Sequence, residues 1–145
     1  MKTLEEIIQE YEDLRENYRS FSKHGDHNRD ALLEYQQRFI DLKSDLRPYH
    51  TQVLAEAERR SDKASTAIKY RISAAMMRDE YEFEDEPVLY EVPPTITHAD
   101  KYAAASKKYK TFLDQRVFYK ESLTNIIDLR EDMTSYINNI SKRIN

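Results

Sequence analysis

Apolar side chains recur at alternating steps of three and four along most of this chain, the spacing of one face of an α-helix. The longest series is Tyr109, Phe112, Leu113, Val117, Tyr119, Leu123, Ile126, Ile127, Met133, Ile137, Ile140 and Ile144, uninterrupted by Gly or Pro. With Thr97 and Asp100 at capping-box spacing ahead of it, the series predicts one long helix over 98–144. Leu4, Ile7, Tyr11, Leu14, Tyr18 and Phe21 predict an N-terminal helix over 3–22. The stretch KHGDHN (23–28) then ends it, holding the only Gly and, in Asp26 or Asn28, an N-cap for the next helix.

Leu32, Tyr35, Phe39, Leu42, Leu46, Tyr49 and Val53 continue the pattern and predict a central helical region over 29–79. Pro48 lies inside it; lacking an amide donor and clashing with the preceding turn, it predicts a kink, or an end and a restart. Past Leu54 the seam turns to small residues, Ala57, Ala64 and Ala67, joined by Ile68 and Ile72. Residues 80–96 break the helical spacing: Tyr81 and Phe83 alternate with acids, and three prolines interrupt Val88, Leu89, Tyr90 and Val92. An extended acidic linker or a short edge β-hairpin is expected there. The fold class is therefore mainly α, with long antiparallel helices in a coiled-coil-like bundle, and the length suits one domain over 1–145.

The apolar face of residues 112–144 is wider than one partner helix needs, and Arg116 and Arg130 interrupt a strict heptad. That breadth predicts packing within the chain on one side and against other copies on another. Leu123, Ile126, Ile127, Met133, Ile137, Ile140 and Ile144 are the candidate oligomerisation residues, and a homo-oligomer is expected.

Composition narrows the function classes. One Gly, four Pro, no Trp and 34% charged residues suit long helices with few turns. No apolar run approaches the roughly 20 residues of a membrane span, and the acidic, amphipathic start is unlike a signal peptide. An intracellular, cytoplasmic protein without a membrane partner is the expectation. The absence of cysteine excludes disulfides, thiol nucleophiles and thiolate zinc sites. His24 and His27 with Asp26 sit on an expected turn and read as turn residues, not as metal ligands. A Gly-rich phosphate loop, an H-E-x-x-H motif and a nucleophile elbow are all missing from the sequence, so neither an enzyme nor a cofactor is expected.

The net charge of −4 hides a division. Residues 1–16 hold six acids against Lys2 and Arg15, while 59–78 hold Arg59, Arg60, Lys63, Lys69, Arg71 and Arg78 against Asp62. Residues 79–100 then hold eight acids with no Lys or Arg, and 101–120 hold six cations against Asp114. Such runs ordinarily form solvated helix faces. A mildly acidic protein nevertheless binds nucleic acid when its cations converge, because phosphate responds to the local field.

One stretch singles itself out: Ala67-Ile68-Lys69-Tyr70-Arg71-Ile72. Ile68 and Ile72 are one turn apart and face inward, whereas Lys69 and Arg71 lie roughly 200° apart around the axis and flank the opposite side, with Tyr70 between them. Two cations beside an aromatic ring suit single-stranded nucleic acid, the cations for phosphates and the ring for stacking on any base. Arg60, Lys107 and Lys108 are candidates to extend the patch.

Three places resemble the UvsY-type recombination mediators of T-even-like phages. They are the opening Leu4-Glu5-Glu6-Ile7, the stretch Ala67 to Ile72, and the C-terminal half. In that half the similar residues are Ala99-Asp100-Lys101, Val117 to Leu123, and Ile126-Ile127-Asp128-Leu129-Arg130. The resemblance implies a small helical, ring-like oligomer that binds single-stranded DNA, with Lys69 and Arg71 as the DNA-binding cations. It also implies two protein partners, a RecA-like recombinase and a single-strand-binding protein. After Arg71 the family tends to aromatics and a Gly-containing turn, where this chain has Ser73, Ala74, Ala75, Met76 and Met77. The rival reading is a coiled-coil structural, assembly or chaperone-like protein, such as a prefoldin-like hairpin or a virion adaptor, with no nucleic-acid binding.

Overall fold

A computed structural model describes residues 1–24, 28–77, 103 and 106–145, with the backbone alone at 74–77. The described residues form five helices and no strand: α1 (Leu4–Lys23), α2 (Arg29–Asp45), α3 (Arg47–Arg59), α4 (Asp62–Met77) and α5 (Lys107–Ile144). Mainly α is therefore the fold class. The expected linker or hairpin at 80–96 and the Thr97/Asp100 cap lie outside the described residues.

Local chemistry sets the helix ends. Thr3 Oγ1 accepts from the Glu6 amide at 3.1 Å, and Glu5 and Glu6 face the positive end of the α1 dipole. Of the two caps offered for α2, Asn28 is used: its Oδ1 accepts from the amides of Asp30 (2.9 Å) and Ala31 (3.2 Å). The described part of that region, 29–77, is three helices. Leu46 separates α2 from α3, whose first turn carries Pro48, so the proline ends one helix and restarts another. A second break, at Arg60 and Ser61, has no Gly or Pro to announce it; the Ser61 carbonyl accepts the Ser65 amide at 3.0 Å as α4 begins. Ser106 opens α5 in a similar way, its carbonyl accepting from Lys110 at 3.0 Å.

The chain divides into two compact units, Met1–Val53 with Ser122–Asn145, and Leu54–Glu121. In the first, α1, α2 and the second half of α5 surround one core. Ile7, Tyr11, Leu14 and Tyr18 from α1, Leu32, Phe39, Leu42 and Leu46 from the α2 segment, and Met133 and Ile140 from α5 are all buried. The α1 and α2 seams expected from spacing are the ones that pack. Aromatic rings dominate the centre: Phe39 stacks on Tyr136 at 4.9 Å, while Tyr11 and Tyr18 approach both rings edge-on. Each such pair adds about 0.5–1.5 kcal/mol beyond the area it buries.

These contacts also fix direction. Tyr18 meets Tyr35 and Tyr11 meets Phe39, so α1 and α2 run antiparallel. Tyr11 meets Tyr136 while Arg143 donates to the Tyr18 hydroxyl at 2.9 Å and to Ser22 Oγ at 3.2 Å, so α1 and α5 run parallel. Gln36 ties α2 to α5 by donating to the Ile137 carbonyl at 3.2 Å and Ser141 Oγ at 2.5 Å. Arg130, which interrupts the heptad, hydrogen-bonds Nδ1 of His50.

The second unit is built differently. Among its described residues the buried side chains are Ala57, Ser65, Ile72, Ala103 and Ser106, most of them small. Among the described residues, arginines tie its helices together. The Arg60 guanidinium bonds Glu56, donates to Gln115 Oε1 at 3.1 Å, and lies 4.7 Å over the Tyr119 ring. Arg116 donates to Asp62 Oδ1 at 2.6 Å and to Ser65 Oγ at 3.1 Å.

Candidate nucleic-acid interface

α4 carries the stretch that the sequence singles out. Ile72 is 6% exposed and Ile68 half-buried, so this face is turned into the second unit. Arg71 is exposed and Lys69 half-buried, and Tyr70 between them is 75% exposed. A tyrosine that gives up so little surface contributes almost nothing to packing, and its ring is open to a planar ligand. Lys107 and Lys108 are exposed in the first turn of α5, which has no acid. Lysines there add to the positive end of the helix dipole where acids would ordinarily offset it, so the local field favours an anion.

Arg60 is placed otherwise. Its side chain is 16% exposed and its charge is matched by Glu56, which also pairs with Arg59. It holds α3 to α5 through Gln115 and Tyr119, a positioning role inside the unit. Lys120 is similarly near a carboxylate, 3.6 Å from Asp62.

Of the candidate oligomerisation residues, Met133 and Ile140 are fully buried and Ile126 nearly so within the single chain. Ile137 and Ile144 pack partly buried against the same core, and Leu123 and Ile127 are half-buried. Much of the broad apolar face is thus covered by α1 and α2. Val117, placed on the seam by its spacing, is instead 51% exposed, and Phe118 beside it is 61% exposed.

Among the described residues no cluster of His, Cys, Asp or Glu could hold a metal ion, and no helix is long and apolar enough to cross a membrane. His24 folds back on its own helix, with Nδ1 2.7 Å from the Ser20 carbonyl oxygen. Comparison with protein-family models, with curated proteins and with solved structures finds no match.

Sequence reading did not find a further group of cations. Arg15, Arg19 and Lys23 recur every four residues along α1, and Lys142 and Arg143 close α5. The four-residue spacing was visible in the sequence; the meeting of the two groups depends on the parallel packing of α1 and α5.

Proposed function

We propose that this chain is a non-enzymatic, single-stranded-DNA-binding recombination mediator, which holds a strand so that a RecA-like recombinase can displace single-strand-binding protein from it. The observation that carries the reading is Tyr70, 75% exposed on α4 between Lys69 and Arg71. The cations meet phosphates and the ring stacks on an unpaired base, so single strands bind in preference to duplex. Lys107 and Lys108 extend the positive field. One such patch is weak, and assembly of several copies multiplies it by raising the effective concentration of each further site. Val117 and Phe118, exposed on α5, are the apolar surface for that assembly. The resemblance of Ala67 to Ile72 to the mediator family's cationic segment supports the same assignment of Lys69 and Arg71.

Fluorescence anisotropy with single-stranded DNA at two salt concentrations tests the reading. Lys69→Ala/Arg71→Ala should weaken binding at low salt and flatten the slope of log affinity against log salt by about 0.7 for each phosphate left unbound. Wild-type affinity and slope in a folded double variant defeat the assignment. The exposed pair Val117 and Phe118 favours the second reading, a structural or assembly protein that docks on apolar surface without nucleic acid. Its association would then be insensitive to ionic strength.

A further inference from the structure

The first unit is electrically polarised. At the start of α1, residues 4–13 hold five acids and no Lys or Arg. At the other end, residues 15–24 of the chain together with 133–145 hold Arg15, Arg19, Lys23, Lys142 and Arg143 against Glu16, with Asp132 just ahead of the second segment and Asp30 and Glu34 at the start of α2, which packs against Tyr18 and Phe21. Because α1 and α5 run parallel, these segments share one pole of the unit, where Arg143 reaches Tyr18 and Ser22. Cations in the last turn of a helix are favoured by its dipole, which accounts for Lys23, Lys142 and Arg143. Arg15 and Arg19 lie further back and need another reason.

Two adjoining grooves run between α1 and α5 at this pole, of about 330 and 650 Å³, and Arg19 and Tyr136 line both. Arg15 lines the smaller and Lys23 the larger, so the groove wall carries a cation every turn, spaced about 6 Å at a rise of 1.5 Å per residue. Asp132 and Glu16 are the acids on the two walls, Glu16 lying 3.8 Å from Arg19. Arg15 lies over the Tyr11 ring at 5.5 Å, and its Nε is buried with no hydrogen-bond partner among the described residues. A regular file of cations along a groove fits a ligand with a regular file of anions, and Ser135 and Asn139 add neutral hydrogen-bonding groups to the wall.

We infer that this pole is a second contact for the phosphodiester backbone of single-stranded nucleic acid, separate from the Lys69–Arg71 stretch. The inference rests on the mediator reading for its choice of polyanion. Each unit then carries a contact of its own, one with a stacking ring and one that reads charge alone.

The test is anisotropy of a labelled single-stranded oligonucleotide with the full chain. Arg19→Gln/Lys23→Gln changes two exposed side chains, and Arg38→Gln/Arg47→Gln serves as a control of equal charge elsewhere in the same unit. The first variant should lower the salt slope by about 0.7 for each of the two cations removed, with the control near wild type and helicity unchanged in both. Equal effects of the two variants, or none, would overturn the inference. Run beside Lys69→Ala/Arg71→Ala, the experiment separates the two failures: weaker binding only in the α4 variant removes the pole and keeps the mediator reading. Weaker binding only in the pole variant keeps the pole and removes the α4 assignment. Inorganic polyphosphate competing as well as the oligonucleotide would overturn the choice of nucleic acid.

Discussion

The two units share a helical period and differ in what fills it. In the first, every third or fourth residue is large, and aromatic rings from three helices meet edge-on and face-on around Phe39. Among the described residues of the second, the buried positions on α3 and α4 are Ala57, Ser65 and Ile72, Arg60 and Arg116 join helices, and aromatic surface is left outside at Tyr70 and Phe118. Periodicity alone therefore says where a helix forms, while residue size says whether that helix is held by its core or by directional bonds.

The sharpest way to break this contrast is to remove bulk from the first unit. Phe39→Ala should lower stability by about 3–5 kcal/mol, read as a shift in the urea midpoint, because a fully buried ring leaves a cavity among close-packed neighbours. A loss under about 1 kcal/mol would mean that the aromatic cluster is not what holds the unit. Arg116→Ala should have a smaller effect, on the order of 1–2 kcal/mol, because it breaks bonds to Asp62 and Ser65 from a side chain that is 24% exposed. Hydrogen exchange should show faster exchange in α4 with α1 unchanged; uniform exchange would show that the two units open together. Arg71→Ala, at an exposed position, should change stability by no more than about 0.5 kcal/mol while weakening DNA binding, so that function and folding separate.

The smallest effect is electrostatic and confined to the first unit. Burial, and then the charge of Asp132, raises the Tyr11 phenol above its ordinary value. A group whose value is raised on folding stabilises fully below its unfolded value, near pH 10, and that contribution is lost as pH rises through the folded value. Tyr11→Phe should therefore flatten the alkaline limb of the stability profile, as measured by urea midpoints above about pH 9.5. An unchanged limb would place the alkaline sensitivity on other groups.

Much of the first unit was legible in the sequence. Leu32, Phe39, Leu42 and Leu46 have the spacing of one helix face, and bulk at that spacing has to find cover. Pro48 announced the α2–α3 junction for a covalent reason. The α3–α4 junction was missed, although Ser61-Asp62 is itself a weak helix-start signal inside a run that otherwise looks continuous. Val117 was misplaced because a three-and-four spacing defines a face without saying how far along the helix its partners extend. In the candidate interface, the outward direction of Tyr70 followed from the inward one of Ile72, since both belong to one turn. The charged pole was out of reach: its halves are more than a hundred residues apart, and only the parallel pairing of α1 with α5 joins them.

That pairing also sets an order of events during synthesis. Met133, Ile140 and Arg143, which cover Tyr11, Tyr18 and their neighbours, are translated long after α1 has left the ribosome. At about 5–20 residues per second, α1 and α2 wait several seconds with their aromatic faces open to water. During that interval they can form at most a two-helix hairpin, because the side chains of α5 that complete the core have not yet been made.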